Sequence, residues 1–316
     1  MKKILRVNAL SKFYETKDFM GNKFSIKALN GATFELVEGE TVGVVGESGC
    51  GKSTMAKTII GLEKKSGGAV FINDRNIDEI PQKEKSSLVQ MIFQDPYNSL
   101  NPRKKAWEII AAPLKVQKKI SSEELYQEAV NVMKLVGLPE DMANRFPHMF
   151  SGGQRQRIGI ARALITKPKV IICDEPVSAL DVSIQAQILN LLIDLQKKLN
   201  LSYVFIGHDL SVIKHIAHKV CVMYLGNIVE QGSNQQIFND PKHPYTRALL
   251  KSSPSIDLNS SIEDLEILKG ELPSPLSPPS GCHFHARCSE VKDECRKVYP
   301  NSVSRDGHQV KCHLYK

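Results

Sequence analysis

Apolar positions change their spacing several times along this chain. The first part carries short apolar and β-branched runs, Ile4–Leu10, Phe24–Leu29, Ala32–Leu36 and Thr41–Val45, set off by polar and glycine-bearing turns. Runs of that length predict strands, and the last, with no charged position, predicts a buried one. Helix formers follow from Lys52 to Ile60 with no breaker before Gly61, so strand, glycine-punctuated loop and helix are expected in succession. Gly67-Gly68 announces a turn into another strand, Ala69–Asn73, and Leu88–Phe93 is a further short apolar run.

From about Pro96 to Leu164 the β-branched runs vanish, and helical patterns are punctuated by Pro102, Pro113, Gly137-Leu138-Pro139 and Pro147. An inserted, mostly helical subdomain over about 96–165 is the expectation. Strands resume at Lys169–Cys173 and Ser202–Gly207; between them Ile184, Ile188, Leu191, Leu192, Leu195 and Leu199 recur at helical spacing. Strand, helix, strand implies a parallel crossover. Val220–Leu225 and Ile228–Gln231 flank Gly226-Asn227 and predict a hairpin with a two-residue turn. The Pro273–Pro279 stretch, with four prolines, reads as an extended linker into the tail. The pattern as a whole is α/β, without internal repeats.

Composition narrows the class. At roughly 150 residues per domain, 316 residues suggest about two folding units, and 41% hydrophobic with 24% charged residues excludes collagen-like, low-complexity and wholly disordered chains. No apolar run nears the ~20 residues of a bilayer-crossing helix. The Met1–Leu10 stretch is broken by Arg6 and Asn8 before a signal-peptide core forms, so a cytosolic setting is expected. The net charge of +8 calls for an acidic partner: nucleic acid, an anionic membrane surface or a phosphorylated ligand. The lysine pairs are scattered and no basic stripe interleaves with aromatics, so nucleic acid is not the expected partner.

The residues Gly46-Glu47-Ser48-Gly49-Cys50-Gly51-Lys52-Ser53 fit a phosphate-binding loop, placed between the buried strand and the helix as the mechanism needs, with Thr54 completing the expected nucleotide-binding set. Glycines let backbone N–H groups turn inward around phosphate oxygens, and the helix N-terminus adds positive dipole. Lys52 would reach the terminal phosphates, and the Ser53 hydroxyl would ligate Mg²⁺. Lys169–Cys173 then ends in Asp174-Glu175. Adjacent acids after a strand are also common surface turns, but beside a phosphate loop Asp174 would orient Mg²⁺ through water and Glu175 would polarise the attacking water. His208, after the next strand, suits a hydrogen bond to the terminal phosphate, and the Gln94 amide suits metal or water at the entry to the helical insert.

Ser151-Gly152-Gly153-Gln154 offers a second anion site: Ser151 caps a helix running through Leu164, and the two glycines leave its first amides bare. Two phosphate-seeking helix ends in one chain make sense when nucleotide is clamped between the loop of one copy and the Ser-Gly-Gly end of another.

Phosphate loop 46–53, Gln94, Ser151–Gln154, Val170–Glu175, Ser178-Ala179-Leu180-Asp181 and His208, in this order and spacing, resemble the ATP-binding cassette family. Gln94-Asp95-Pro96, Leu100-Asn101-Pro102, His243–Leu249 and Gly270–Pro275 are similar to the oligopeptide/dipeptide importer ATPase subunits, most of all their F-type subunit. The resemblance implies a P-loop NTPase core with an antiparallel β subdomain, the helical insert and a small Cys-rich C-terminal extension, divided as 1–260 and 261–316. It implies ATP and Mg²⁺ as ligands, with Ser53, Gln94 and Asp174 on the metal, Tyr14 stacking on adenine unless the register slips to Phe13, and Asp181 contacting the opposing subunit. Glu175 and His208 match the catalytic glutamate and the switch histidine. Expected partners are a paralogous ATPase subunit or a second copy, two transmembrane permease subunits, one receiving contact from the segment that begins at Gln94, and an extracytoplasmic solute-binding protein. The expected place is the cytoplasmic face of the membrane. Nickel uptake and a non-transport cassette ATPase are the rival readings.

Four of the seven cysteines, Cys282, Cys288, Cys295 and Cys312, and four of the nine histidines fall in residues 281–316. In a cytosolic setting such clustering suggests metal rather than disulfides, although the CxxC pairs of structural zinc are missing. The importer resemblance implies a [4Fe-4S] cluster on these cysteines; Zn²⁺ and unliganded thiols are the alternatives.

Overall fold

A computed structural model describes residues 2–17, 21, 23–95, 97–252 and 271–315. Pro96, Gly270 and the expected 260/261 boundary lie outside the described residues. In chain order the elements are β1 (Lys3–Lys17), β2 (Lys23–Val37), β3 (Thr41–Val45), α1 (Lys52–Ile59), β4 (Gly67–Ile72), β5 (Arg75–Asn76), α2 (Gln82–Leu88) and β6 (Val89–Ile92). Then follow α3 (Ala106–Gln117), α4 (Ser122–Leu135), α5 (Gly152–Leu164), β7 (Val170–Asp174), α6 (Val182–Leu199), β8 (Ser202–Ile206) and α7 (Leu210–Ile216). The remainder is β9 (Lys219–Tyr224), β10 (Asn227–Ser233), α8 (Asn234–Asn239), α9 (Pro244–Lys251), α10 (Asp293–Lys297), β11 (Ser302–Arg305) and β12 (His308–Lys311). Among the described residues no helix is long and apolar enough to cross a membrane.

The chain forms two compact units, one of residues 1–6, 35–40 and 71–205, the other of 7–34, 41–70 and 206–316. In the first unit β8, β7 and β6 lie side by side. All five residues of β7 and of β8 are buried, which is why Val170–Cys173 and Tyr203–Ile206 read as continuous rather than alternating apolar runs. The β6–β7 pair is parallel, in register from Val89↔Val170 to Ile92↔Cys173. Helices α3, α4 and α5 pack together through Ile110, Leu114, Val130, Met133, Ile158 and Ile160, all at most 5% exposed. Each such side chain contributes about 1.5–3 kcal/mol of apolar burial. That burial explains a departure from expectation: Pro113 does not punctuate but lies inside α3. The hydrogen bond it removes is offset by the burial of Ile109, Ile110 and Leu114 in the same helix.

In the second unit the strand order is β11-β12-β10-β9-β3. Strands β3 and β9 are parallel, from Val42↔Lys219 to Val45↔Val222, and the β9–β10, β10–β12 and β11–β12 pairs are antiparallel. The β9–β10 turn is Leu225-Gly226 rather than Gly226-Asn227, because Asn227 already pairs with Tyr224. Both turn residues have positive φ, 43° and 76°, the backbone that a tight two-residue hairpin demands. Likewise β2 runs unbroken through Gly31, whose φ of 69° bends the strand without ending it. The hairpin β11–β12, unannounced by the sequence pattern, joins the tail to β10 at Glu230↔Val310. Glu230, 1% exposed, accepts hydrogen bonds from the backbone N–H groups of Lys242 and His243 and lies 2.7 Å from His308 Nε2 of β12.

Candidate nucleotide site

The buried strand β3 delivers the chain into the glycine loop of the second unit. Gly46 has φ 153°, and a Cβ there would lie 2.2 Å from the Met223 carbonyl oxygen; at Gly51, φ 108°, it would lie 2.2 Å from that of Ala28. Only glycine fits either place, and the tight turn leads into α1 at Lys52. Lys52 is 5% exposed, and its Nζ donates to the carbonyls of Gly46 at 2.7 Å and Glu47 at 3.0 Å. The ammonium is thus folded over the loop rather than extended into solvent. Ser48 and Gly49 form the exposed tip, while Ser53 and Thr54 occupy the first turn of α1, half-buried. Burial pushes the Cys50 thiol up, against the pull of Lys52, so Cys50 stays protonated and serves the loop by its backbone. Gly46→Ala is expected to cost about 1–3 kcal/mol of stability and to abolish nucleotide binding, read by denaturant unfolding and a binding isotherm.

His208 is exposed at the same end of β3 as the loop, because the Gly207 N–H donates to the Val44 carbonyl at 3.1 Å. Tyr14 lies half-buried on β1, with Lys12 Nζ 4.6 Å from its ring centroid. What the tyrosine ring meets is therefore an ammonium group.

The carboxylates belong to the first unit. Asp174 ends β7 and is 4% exposed. Glu175 leaves the strand with φ 46°, a left-handed conformation that a non-glycine residue holds only at a cost. Gln94 lies two residues beyond Ile92 and Glu175 two beyond Cys173, so the parallel register brings them level; Gln94 Nε2 donates to Glu175 Oε2 at 3.1 Å. The two residues are 81 positions apart in the chain. An amide and a carboxylate set together at the ends of parallel strands can hold and orient a water molecule.

The Ser151 end is built as a capping box: Ser151 Oγ accepts the Gln154 N–H at 3.3 Å, and Gln154 Oε1 accepts the Ser151 N–H at 3.0 Å. The Gln154 side chain is therefore spent on the cap, leaving the amides of the first turn as the groups suited to an anion. A Cβ on Gly153 would lie 2.7 Å from Ile184 Cγ2, so α5 needs glycine to approach α6. Asp181 is exposed as the N-cap residue of α6, with no side-chain cap bond. Ser151→Ala should destabilise the protein by about 1 kcal/mol, measurable as a shifted urea midpoint.

The cysteine tail departs from the metal expectation. Among the described residues no group of three or more His, Cys, Asp or Glu is disposed to hold a metal ion, which overturns both the iron–sulfur cluster and zinc on Cys282, Cys288, Cys295 and Cys312. Burial pushes the Cys282 thiol up to about 11 and raises those of Cys288 and Cys312, with the neighbouring thiols adding to the effect. These cysteines pack the tail instead: the Cys282 N–H donates to the Cys295 carbonyl at 2.8 Å, and Cys295 Sγ accepts the Lys292 N–H at 3.4 Å.

Two residues that touch the loop were not foreseen. Tyr245 Oη accepts the Glu47 N–H at 2.9 Å, and Arg287 grips the Glu47 carboxylate with both terminal nitrogens, at 2.8 and 2.9 Å. Tyr245 lay within the His243–Leu249 segment, but nothing in that pattern ties it to a loop 198 residues away. Arg287 carried no signal at all.

Residues 29–178 match the family described as ABC transporter, and residues 229–295 that described as oligopeptide/dipeptide transporter, C-terminal region. The dipeptide transport ATP-binding protein DppF of Escherichia coli is 48% identical over 313 residues, covering 98% of this chain and 93% of its own. The oligopeptide transport ATP-binding protein OppF of Haemophilus influenzae is 50% identical over 322 aligned residues, covering 98% of this chain and 96% of its own. Among solved structures, the ATP-binding cassette MJ0796, dimeric in a post-hydrolysis state with ADP and Pi, superposes with a TM-score of 0.64 at 29% identity, covering 73% of this chain and 98% of that one.

Proposed function

This chain belongs to the ABC transporter family, among its oligopeptide and dipeptide transport ATP-binding proteins, and we propose that it hydrolyses ATP to power peptide import through separate membrane subunits. The observation that carries the proposal is near-full-length identity to peptide-transport relatives in a chain that also bears their C-terminal region. The same likeness favours peptides over nickel as cargo and a transporter over a non-transport ATPase.

The roles fall on the residues already described. The glycine-shaped loop Gly46–Thr54 suits the phosphates of ATP, since its tight turn holds only without side chains at Gly46 and Gly51, which would strike the Met223 and Ala28 carbonyls. Lys52 neutralises the terminal phosphates, and the α1 N-terminus adds its dipole. Ser53, Gln94 and Asp174 are the oxygen donors that would hold Mg²⁺, which supplies charge neutralisation on the phosphates. Glu175 takes the proton of the attacking water, Gln94 keeps that carboxylate oriented, and His208 donates to the terminal phosphate. Tyr14 supplies the adenine contact once Lys12 gives way. The first-turn amides of Gly152 and Gly153, held by the Ser151–Gln154 cap, serve the nucleotide of an opposing ATPase subunit, a paralogue or a second copy, which Asp181 also meets. The remaining partners are two transmembrane permeases and an extracytoplasmic binding protein, with this chain on the cytoplasmic face. Its ATPase part spans 1–260, with the helical insert at about 96–165, and 261–316 forms the extension.

The test of cargo uses the assembled transporter. Peptide-loaded binding protein should raise ATP turnover several-fold over unloaded binding protein, whereas nickel-loaded protein should not. Stimulation by nickel alone would reject peptide import.

A further inference from the structure

The contact between the tail and the phosphate loop has no part in the roles above. Arg287 and Glu47 stand 240 residues apart, so nothing local forces them together. Their side chains are only 6% and 21% exposed, which removes most of the solvent screening that makes surface ion pairs weak. The fork of two parallel hydrogen bonds fixes direction as well as charge.

The arginine is itself held in place. Its backbone N–H donates to the Phe284 carbonyl at 3.0 Å, and its guanidinium lies 6.0 Å from the Phe284 ring. Phe284, 2% exposed, packs at 5.4 Å against both Tyr224 and Tyr245, whose rings are 4.7 Å apart. Tyr245 is fixed in turn by His243, whose Nδ1 accepts the Tyr245 N–H at 3.0 Å; burial pushes the imidazole down to about 3 and so keeps it neutral. Glu47 is therefore gripped by the tail at its carboxylate and by Tyr245 at its amide, while its carbonyl accepts from Lys52 Nζ. Any movement of Glu47 moves the seat of the lysine that meets the phosphates.

We propose that Arg287 is a positioning residue for ATP: through its two-pronged hold on Glu47, the C-terminal tail sets the shape of the phosphate loop and hence its affinity for nucleotide. The proposal rests on the reading of Gly46–Thr54 as the ATP loop. Because coupling is reciprocal, ATP also tightens the turn that carries Arg287. The effect falls on binding and not on the chemical step, since Arg287 acts on the loop through the Glu47 carboxylate.

The experiment uses the purified full-length chain and a fluorescent ATP analogue. Arg287→Ala should weaken binding about tenfold and, in the assembled transporter, raise KM for ATP with kcat within about twofold. Arg287→Lys should recover only part of the affinity, because a single ammonium lacks the fork. Glu47→Gln leaves the tail's own packing intact, and so carries the test should Arg287→Ala fail to fold. It should weaken binding similarly, and the double variant should be no weaker than either single one. In hydrogen exchange, ATP should slow the amides of residues 284–287 in the wild type but not in Lys52→Ala. Affinity within twofold of wild type for Glu47→Gln, or for a folded Arg287→Ala, overturns the proposal, as does simple additivity in the double variant. Should Lys52→Ala bind ATP like the wild type, the loop reading itself fails and takes the proposal with it. Lost binding in Lys52→Ala with normal binding in the tail variants overturns the tail's role alone.

Discussion

Glu175→Gln is expected to leave ATP binding unchanged and to slow hydrolysis at least ~10²-fold, the lower scale for loss of a general base. The substitution keeps the size of the side chain and an oxygen able to accept the Gln94 hydrogen bond, 3.1 Å long in the wild type. What it removes is the capacity to take a proton from water. A hundredfold loss corresponds to about 2.7 kcal/mol in the barrier, so the effect stands clear of the small stability changes an isosteric substitution brings. The left-handed backbone at Glu175, φ 46°, points the same way, since strain of this kind persists where the surrounding structure holds a residue for a task. Binding isotherms and phosphate release on the same preparation separate the two effects. Normal turnover would remove Glu175 from the role of base.

Lys52→Ala should abolish nucleotide binding, and with it turnover. The wild-type ammonium is buried to 5% exposure and bonded to the carbonyls of Gly46 and Glu47, so the loop is shaped around a positive charge. Without it, the loop presents its carbonyl oxygens to polyphosphate with no cation between them. The loss should exceed that of any tail variant, because Lys52 meets the ligand while Arg287 acts through Glu47. Near-normal hydrolysis in Lys52→Ala would withdraw the phosphate-loop assignment.

Much of this was legible in residues that act locally. Strands β3, β7 and β8 each carry a short, mostly apolar run, and their complete burial is what a central parallel strand requires. Glycine spacing announced the phosphate loop, since the close approaches at Gly46 and Gly51 admit no other residue. Ser151 and Gln154 carried a capping-box spacing, and the box is there. Where the outcome depends on distant partners, the pattern was silent. The Gln94–Glu175 hydrogen bond follows from the register of β6 on β7, which neither strand encodes alone. The hairpin turn slid by one residue because pairing of Tyr224 with Asn227 outweighed the preference of Gly-Asn for a turn. The tail misled most. Cysteine spacing suggested a metal, whereas Cys295 and Cys312 are buried packing residues and the tail's link to the loop runs through Phe284 and Arg287.

The most direct test is uptake of a labelled peptide into proteoliposomes that contain this chain, its ATPase partner and the permeases, with binding protein outside and ATP inside. Uptake should require hydrolysable ATP and should stop with Lys52→Ala or Glu175→Gln in this chain. Peptide accumulating at the wild-type rate with either substitution, or without ATP, would contradict the account.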